Sequence, residues 1–372
     1  MKPRAADGDW SLPGATWRTR FRRRLRTWYA RHARDLPWRR SRDPYAVWLS
    51  EIMLQQTQVA TVKPYFERFL RRFPSIRALA GADEDEVARL WEGLGYYRRV
   101  RQLHQAAKRI VARHGGVFPR DAASVRRLPG IGRYTAGAIL SIAFDAREPI
   151  LEANTVRLFS RLLAYRGDPA SAAGTRLLWA MAEAVLPRRG CGSFNQALME
   201  LGSTVCLGRA PRCDACPVAR LCRARELSLT AEIPRPKVKR PAEHRREAAV
   251  VVHRGRRILL VKCPEGGRWA GLWDFPRFVV EAEHGAASWE ELVAGVERLT
   301  GVSIEPGERL ATIRHGVTRF RITLDCYAAR YVAAGDGRRR PVIARWILPG
   351  ELETYPLSTT GRKLSRLIVE NR

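Results

Sequence analysis

Apolar residues recur at helical spacing along the first two thirds of the chain. The first pattern begins at Trp17, where Phe21, Leu25 and Trp28 stand among arginines and predict an amphipathic helix with a basic face. Seven further stretches show helical patterning: 46–73, 83–94, 98–114, 122–128, 133–144, 156–165 and 172–186. Glycine and proline residues interrupt these stretches, so the pattern predicts separate helices in an all-α region over residues 16–227.

The character of the sequence changes beyond this region. Residues 228–247 are rich in proline and charge and poor in apolar side chains, which predicts an exposed linker. Residues 248–372 contain short β-branched and alternating runs around one helical pattern at 288–300. We therefore expect a multidomain protein in which an all-α region precedes a separate α+β domain. We also expect a frayed terminus over about the first 15 residues.

No segment of the sequence resembles a membrane span. The longest strongly apolar stretch, 135–144, has about half of the roughly 20 residues that a membrane-spanning helix needs. No apolar signal-peptide segment follows the basic N-terminus. We therefore expect a cytoplasmic, nucleoid-associated protein without a secretion signal.

Charge indicates the kind of partner. The chain has 67 Lys and Arg against 37 Asp and Glu, a net charge of +30. Residues 1–247 carry +24 of this excess and residues 248–372 carry +6, so an anionic partner should meet mainly the first two thirds. The excess favours nucleic acid, although an acidic membrane surface or acidic protein stays open. Arginine outnumbers lysine 60 to 7, which suits bidentate phosphate contacts and equally fits GC-rich codon usage.

Four of the seven cysteines form a cluster with the spacing C-x6-C-x2-C-x5-C. They are Cys206, Cys213, Cys216 and Cys222. Four thiolates within 17 residues can surround one metal centre, whereas the low cysteine content argues against a disulfide scaffold. A single short C-x2-C pair between longer loops favours an iron–sulfur cluster, and structural zinc remains the alternative.

A glycine turn at residues 128–139, LPGIGRYTAGAI, lies between two helical patterns. Gly130 and Gly132 permit positive φ and close approach of an anion to the backbone N–H groups that begin the next helix. This arrangement predicts a helix-hairpin-helix that grips the DNA backbone without reading sequence. A plain helix–turn–helix connection is the alternative.

The hairpin, the all-α context and the cysteine loop together resemble the endonuclease III superfamily of DNA glycosylases. Segments 48–69, 91–104, 128–139 and 194–206 resemble more specifically the adenine DNA glycosylase (MutY) family. The resemblance implies a six-helix barrel module, a [4Fe–4S] module and a C-terminal Nudix-like domain. It also implies a monomer that binds double-stranded DNA containing adenine opposite 8-oxoguanine or guanine, and the charged linker is a candidate site for protein docking.

Cleavage of the N-glycosidic bond of adenine needs an acid for the leaving base and an anion near the sugar cation. Glu51 stands among apolar neighbours that would raise its pKa, and the resemblance implies that it protonates the adenine and helps to activate water. The family's Asp-Gly-Asn is replaced here by Glu152, Ala153 and Asn154. We expect Glu152 to stabilise the sugar cation and Asn154 to orient it. The added methylene puts the placement of this carboxylate in doubt.

Tyr134 predicts the type of reaction. Superfamily members that also nick DNA carry at this position a lysine that forms a Schiff base with the sugar. Between residues 3 and 227 the only lysines are Lys63 and Lys108, on helices that the resemblance places away from the site. We therefore expect a monofunctional glycosylase that removes the base without efficient strand cleavage.

The resemblance also implies which residues handle the bases, since a glycosylase must flip its target out of the duplex. Gln56 and Tyr96 would wedge the stack, with Thr57 beside them, while Gln196 and Met199 would read and pack the adenine. Three further residues would line the pocket: Trp38, Arg39 and Leu54. Packing in the core is the alternative for Trp38 and Met199.

The C-terminal domain lacks most of the acids that a Nudix hydrolase needs to hold magnesium in the helix before Gly301, so we expect binding rather than hydrolysis. The family reads 8-oxoguanine through a Phe-Ser-His loop. Here the corresponding residues are Val317, Thr318 and Arg319. Thr318 keeps a hydroxyl donor, but loss of the aromatic ring and the imidazole puts tight lesion discrimination in doubt.

Two other functions remain open at this point. One is a bifunctional glycosylase and lyase for oxidised pyrimidines, which Tyr134 and the extra domain disfavour. The other is a catalytically impaired iron–sulfur DNA-binding protein, for which the change at Glu152 is the support.

Overall fold

The computed structural model describes residues 11–235, 241–281, 287–334 and 342–370. They divide into two compact units, one made of residues 11–80 and 105–235 and the other of residues 81–104 and 241–370. The segment 81–104 therefore groups with the C-terminal part of the chain although it interrupts the helical part.

Helices make up the regular structure before residue 235. They are α1 (Ala15–His32), α2 (Pro44–Leu54), α3 (Val59–Arg72), α4 (Ile76–Gly81), α5 (Glu84–Leu90), α6 (Arg98–His114), α7 (Ala122–Arg126), α8 (Arg133–Phe144), α9 (Ala153–Leu163), α10 (Ala172–Val185), α11 (Cys191–Thr204) and α12 (Arg223–Glu226). The predicted bounds of the helices at 98–114 and 133–144 agree with α6 and α8. The pattern over 46–73 is instead split between α2 and α3, because the chain turns at Gln56, whose φ is 57°.

One apolar cluster joins α1, α9, α10 and α11. Phe21 and Phe194 meet edge to face, with 6.2 Å between their ring centroids. Helix α11 approaches α8 closely at Gly192, where an added Cβ would lie 2.3 Å from the Ser141 carbonyl oxygen. The side chain of Asp145 caps the start of α11 by accepting the backbone N–H groups of Gly190 and Gly192. These contacts fix α11 against α8, and both helices contribute to the candidate site.

The second unit is built on a mixed sheet. Its strands are β1 (Glu243–Arg254), β2 (Arg257–Lys262), β3 (Trp273–Asp274), β4 (Arg277–Val279), β5 (Val302–Val317), β6 (Phe320–Ala334) and β7 (Ala344–Ile347), and its later helices are α13 (Trp289–Thr300) and α14 (Thr359–Glu370). The order is β3-β2-β1-β6-β5, with β4 paired to β1 and β7 to β2. Strand β6 runs parallel to β1 and antiparallel to β5.

Both faces of this sheet are covered. Ala248, Val250 and Val252 of β1 pack in the cluster that includes α13, whereas Ala249 and Val251 pack in the cluster that includes α14. Alternate residues of a strand point to opposite faces, so residues 248–252 of β1 are all apolar because this part of the strand is covered on both sides.

Polar contacts tie segment 81–104 to the sheet domain. The Asp85 carboxylate accepts from Lys262 at 3.1 Å and from the Trp273 indole at 2.9 Å. The Arg362 guanidinium donates two hydrogen bonds to the carboxylate of Glu92, at 2.7 and 3.0 Å. The turn that follows Glu92 is therefore held by the sheet domain.

The predicted linker at 228–247 is shorter in the structure. Leu229 and Ile233 are buried against Ala164 and Ala224. Strand β1 already begins at Glu243. The prediction overshot because isolated apolar side chains and a charged strand end are not visible as structure in a proline-rich sequence. Residues 236–240, within the predicted linker, and residues 1–10, within the predicted frayed terminus, lie outside the described residues. Helix α1 begins at Ala15.

Candidate active site

A cavity of about 440 Å³ opens in the helical unit and is bordered by α2, α8, α9 and α11. Most of the predicted catalytic and pocket residues line it: Trp38, Arg39, Glu51, Leu54, Thr57, Tyr134, Glu152, Asn154, Gln196 and Met199. Neither Lys63 on α3 nor Lys108 on α6 is among its lining residues. The cavity therefore brings two carboxyl groups and a phenol together, with no lysine amine on its walls.

Glu51 lies on α2 and is almost fully buried. Tyr134, in the first turn of α8, donates a hydrogen bond of 2.6 Å from its hydroxyl to Glu51 Oε2. The Met199 sulfur lies 3.4 Å from the same hydroxyl. Burial raises the pKa of Glu51 to about 7, with the Tyr134 hydrogen bond acting to lower it and the charge of Glu152 to raise it. Glu51 can therefore be protonated near neutral pH and can lose that proton again.

Glu152 is the N-cap of α9. Its carboxylate accepts from the backbone N–H groups of Asn154 at 2.8 Å and Thr155 at 2.9 Å, and from Asn154 Nδ2 at 3.0 Å. Arg157 in turn donates to Asn154 Oδ1 at 2.9 Å. Burial raises the pKa of Glu152, and these hydrogen bonds and the charge of Arg157 oppose that rise. Three N–H donors thus fix the orientation of the carboxylate at the wall of the cavity.

A third carboxylate, Glu200 on α11, was missed by the sequence analysis. It is fully buried and accepts hydrogen bonds from Arg34 at 2.6 Å and from Arg39 at 2.8 Å. Burial acts to raise its pKa, but the two arginines outweigh burial and lower it. Glu200 therefore stays charged and holds Arg39 at the cavity wall. Its signal in the sequence is that it is the only charged residue in the helix Cys191–Thr204.

Gln196 is fixed on the same helix. The Tyr29 hydroxyl donates to Gln196 Oε1 at 3.0 Å. This bond orients the side-chain amide so that its NH2 group is left for other acceptors.

The glycine turn connects α7 to α8. Gly130 has a φ of 75°, and Leu128 and Ile131 are buried on either side of it. Gly132 is the N-cap of α8 and offers no side chain to its first N–H groups. The space where its Cβ would lie is open. The start of this helix is therefore open, and the binding of a phosphate there stays a prediction.

The predicted wedge residues do not line the cavity. Gln56 is exposed in the turn between α2 and α3, with a φ of 57°. Tyr96 belongs to the other unit and is 52% exposed, with a φ of 50°. Both are non-glycine residues with a left-handed backbone conformation, which is energetically unfavourable for them. Both side chains are exposed to solvent, so neither is packed in a core.

The four clustered cysteines line a common cavity beside Arg161. The buried Arg161 donates to Cys206 Sγ at 3.3 Å and to the carbonyl oxygen of Leu207 at 2.6 Å. Burial raises the pKa of Cys216 to about 12, and the other three thiols add to the rise.

No three metal-binding side chains among the described residues are arranged to hold a single metal ion. The four thiols nevertheless line one cavity, and the identity of the group that they hold stays a prediction. The remaining cysteines, Cys191, Cys263 and Cys326, have no such neighbours and are buried or half-buried thiols.

Thr318 and Arg319 form the two-residue turn between β5 and β6, since Val317 pairs with Phe320. The Thr318 hydroxyl donates to the Val317 carbonyl at 2.8 Å, and Arg319 forms an ion pair with Glu243 at 3.2 Å.

On α13, Glu291 is used in the capping box with Ser288. The acid at this helix start is therefore engaged in structure.

Comparison with known proteins relates each of the two units to a known family of domains. Residues 49–183 match the family model for HhH-GPD superfamily base excision DNA repair proteins, and residues 247–367 match the model for the NUDIX domain. The structure of a thermostable thymine-DNA glycosylase superposes with a TM-score of 0.53 at 29% identity, over 57% of this chain and 98% of that one. A non-covalent endonuclease III–DNA complex gives 0.50 at 19% identity, over 59% and 99% of the chains, and shows a shared fold. The chain therefore belongs to the class of helix-hairpin-helix DNA glycosylases and carries in addition a Nudix-like domain.

Curated relatives narrow this class. Adenine DNA glycosylase from Rattus norvegicus is 35% identical over 95% of this chain and 79% of its own length, and the enzyme from Homo sapiens is 34% identical over 94% and 74%. The enzyme from Buchnera aphidicola subsp. Acyrthosiphon pisum is 35% identical over 69% and 74%. The chain belongs to the adenine DNA glycosylase family, which hydrolyses the N-glycosyl bond of adenine in DNA.

Within the described residues, no helix has the length and apolar character needed to cross a membrane.

The raised pKa of Glu51 predicts a pH-dependent cost to stability. A carboxyl with a pKa near 4.5 when unfolded and about 7 when folded loses stability as pH rises between these values, by on the order of 3 kcal/mol above pH 7. Glu51→Gln should therefore raise the thermal unfolding midpoint relative to wild type more at pH 8.5 than at pH 5.

Glu200→Gln is the matched control for this measurement. The lowered pKa of Glu200 means that its charge stabilises the fold at both pH values, so its replacement should lower the midpoint at both. An equal effect of Glu51→Gln at pH 5 and pH 8.5 would contradict the elevated pKa.

Proposed function

We propose that this adenine DNA glycosylase removes adenine paired with 8-oxoguanine or guanine in double-stranded DNA, and that it is monofunctional. The observation that carries the proposal is the buried Glu51–Tyr134 pair at the wall of a cavity that Glu152 also lines. The cavity combines a carboxyl group that titrates near neutral pH with a second carboxylate held by N–H donors, which is the pairing that acid-assisted glycosidic cleavage requires.

The chemistry follows from the protonation state of Glu51. The protonated acid donates its proton to an imidazole nitrogen of the flipped adenine, and the electrons of the C1′–N9 bond leave with the base. The deoxyribose becomes an oxocarbenium cation beside the negative charge of Glu152. The Glu51 carboxylate then accepts a proton from the water that adds to C1′. The products are free adenine and an abasic site, and Glu51 ends the cycle protonated.

Glu152 stabilises the cation through charge and orientation. Asn154 and Thr155 fix its carboxylate, so little reorganisation is needed when the positive charge develops. The side chain is one methylene longer than the aspartate of the family, and its N-cap bonds hold the longer chain back against α9. This geometry supports a working carboxylate despite the replacement.

Flipping and binding of the adenine use the remaining cavity residues. Gln196 is oriented by Tyr29 and reads the base edge, while Met199, Leu54 and Trp38 pack against the ring. Arg39, held by Glu200, lines the same wall with Thr57. Gln56 and Tyr96 fill the stack that the base leaves.

Phosphate binding rests on the hairpin and on charge. The free N–H groups at the start of α8, next to Gly130 and Gly132, bind a phosphate of the duplex.

The enzyme acts as a monomer, and the charged segment between its domains serves as a docking site for other proteins.

The four cysteines would hold a [4Fe–4S] cluster. Cys206, Cys213, Cys216 and Cys222 share one cavity, and Arg161 donates to the Cys206 sulfur, which lowers the charge density that thiolates place on a cluster. When bound, the cluster would fix the basic loop 206–225 as a rigid phosphate-binding surface, with no part in bond cleavage. We expect the protein to be cytoplasmic and associated with the nucleoid.

A strand-cleavage assay tests the reaction. On a duplex with a single A:8-oxoguanine pair, we expect cleavage at the adenine only after alkali, and no high-yield covalent adduct with borohydride. Glu152→Gln should lower the single-turnover rate by roughly 100-fold, because it removes the charge opposite the cation. Glu152→Asp keeps that charge and should retain more activity than Glu152→Gln. Wild-type rates in Glu152→Gln, or alkali-independent nicking, would overturn these assignments.

Iron analysis tests the cluster. Purified protein should contain about four irons per chain and absorb visible light, and Cys216→Ser should lose both. Cys263→Ser is the matched control, because Cys263 is also half-buried with a pKa raised by burial but lies outside the cluster. One zinc per chain in place of iron would contradict the proposal.

A further inference from the structure

Helix α1 has a basic face that lies outside the candidate active site. Its sequence, Ala15–His32, contains seven arginines and no acidic residue. The apolar side of the helix is buried in the cluster with α9, α10 and α11, whereas Arg20, Arg23 and Arg26 are exposed. Among the residues that the structure describes, none from α1 lines the cavity that holds Glu51. The arginine face of α1 therefore has no part in the site proposed for catalysis.

A concavity of about 410 Å³ opens along this face, against the end of α10. Three arginines, two threonines and a proline line it: Thr19, Arg22, Arg23, Arg26, Thr27 and Pro187. No acidic side chain is found in this lining, as far as the described part of the chain extends. Guanidinium groups and hydroxyls donate hydrogen bonds to phosphate oxygens, so the lining suits a phosphate group.

Arg22 is fixed at this concavity by main-chain acceptors. Its guanidinium donates to the three carbonyl oxygens of residues 184–186, at 2.7–3.1 Å. These carbonyls carry no net charge, so they orient the guanidinium without neutralising it. Burial lowers the pKa of Arg22, and the positive charges of Arg18 and Arg147 add to the lowering. Positive charge is therefore crowded at the concavity, and an anion bound there would relieve the repulsion.

Arg26 lies against the loop that follows α10. A Cβ added at Gly190 would lie 3.1 Å from Arg26 Nη2, so the guanidinium approaches the loop where there is no side chain. The same loop exposes Arg188 and Arg189. The positive surface therefore continues from α1 onto residues 188–190.

The end of α10 also connects this concavity to the glycine turn. Arg133, the first residue of α8 after the turn, forms an ion pair of 2.7 Å with Glu183 on α10. The next residue is Ala184, whose carbonyl accepts from Arg22 at 2.8 Å. Consecutive Cα atoms are about 3.8 Å apart, so the start of α8 and the concavity are neighbours. This proximity favours one DNA backbone as the common partner of both surfaces over a separate acidic protein.

We propose that the α1 concavity binds a backbone phosphate of the same duplex, outside the stretch that the hairpin and the cavity hold. This role rests on the proposed function, because it takes DNA bound at the hairpin as the substrate. Arg23 and Arg26 supply exposed charge for the phosphate, and Arg22 is held in place beside them by α10. The contact adds affinity and fixes the position of the duplex without reading sequence, and it takes no part in bond cleavage.

The salt dependence of DNA binding tests the proposal. The double variant Arg23→Gln with Arg26→Gln changes exposed side chains only, so it should keep the thermal unfolding midpoint of the wild type. On an undamaged duplex, measured from about 50 to about 200 mM salt, the slope of log K against log salt should become shallower by about 1.8, roughly 0.9 for each lost phosphate contact. Single-turnover excision of adenine at saturating enzyme should change less than about twofold, because binding is then complete and the cavity is intact.

Two further variants control for charge and for place. Arg23→Lys with Arg26→Lys keeps both positive charges and should keep most of the wild-type slope. Lys108→Gln with Arg113→Gln removes the same charge from exposed positions on α6 and should leave the slope near that of the wild type.

The outcome of these measurements is decisive for the role of α1. A wild-type slope in the glutamine variant of α1, or an equal change in the α6 variant, would overturn the proposal. A wild-type slope would then leave an acidic protein as the partner of this surface. The proposed function fails separately, since it is contradicted by a wild-type protein that excises no adenine, whatever the slope.

Discussion

The hydrogen bond between Tyr134 and Glu51 is the interaction on which the candidate active site depends. It joins α2 to α8 across a buried boundary, at 2.6 Å. Burial alone favours the neutral acid, whereas the phenol favours the carboxylate, and the balance leaves the pKa of Glu51 at about 7. The same side chain can therefore both give and accept a proton near neutral pH, which is what the proposed reaction asks of it. A lysine in place of Tyr134 would bring a competing nucleophile and a positive charge.

The other carboxylates show how environment separates similar groups. Glu152 is held by backbone N–H groups at a helix start, and Glu200 is held by two arginines. Burial raises the pKa of Glu152, whereas the arginines lower that of Glu200. One group therefore titrates near neutrality, one is held in a fixed orientation by N–H donors, and one serves to position Arg39. Their different roles follow from their neighbours rather than from the residue type.

The sequence predicted the helical unit well where local patterns decide the structure. The helix at 133–144 and the glycine turn before it follow from periodicity and from glycine chemistry, and the resemblance placed Glu51 and Tyr134 on one cavity. It could not predict the contact between Arg39 and Glu200, which are 161 residues apart. It also could not predict that Arg22 binds the carbonyl oxygens at the end of α10, because long-range placement depends on the whole fold. The linker was overestimated because buried single residues such as Ile233 leave no pattern.

The pH dependence of adenine excision under single-turnover conditions tests the central claim most directly. The rate of the wild-type enzyme should fall as pH rises through about 7, because Glu51 loses the proton that it must donate. Tyr134→Phe removes the bond that favours the carboxylate, so the fall should move to higher pH. A wild-type rate that stays constant from pH 6 to 9, or a fall that moves to lower pH in Tyr134→Phe, would contradict the account.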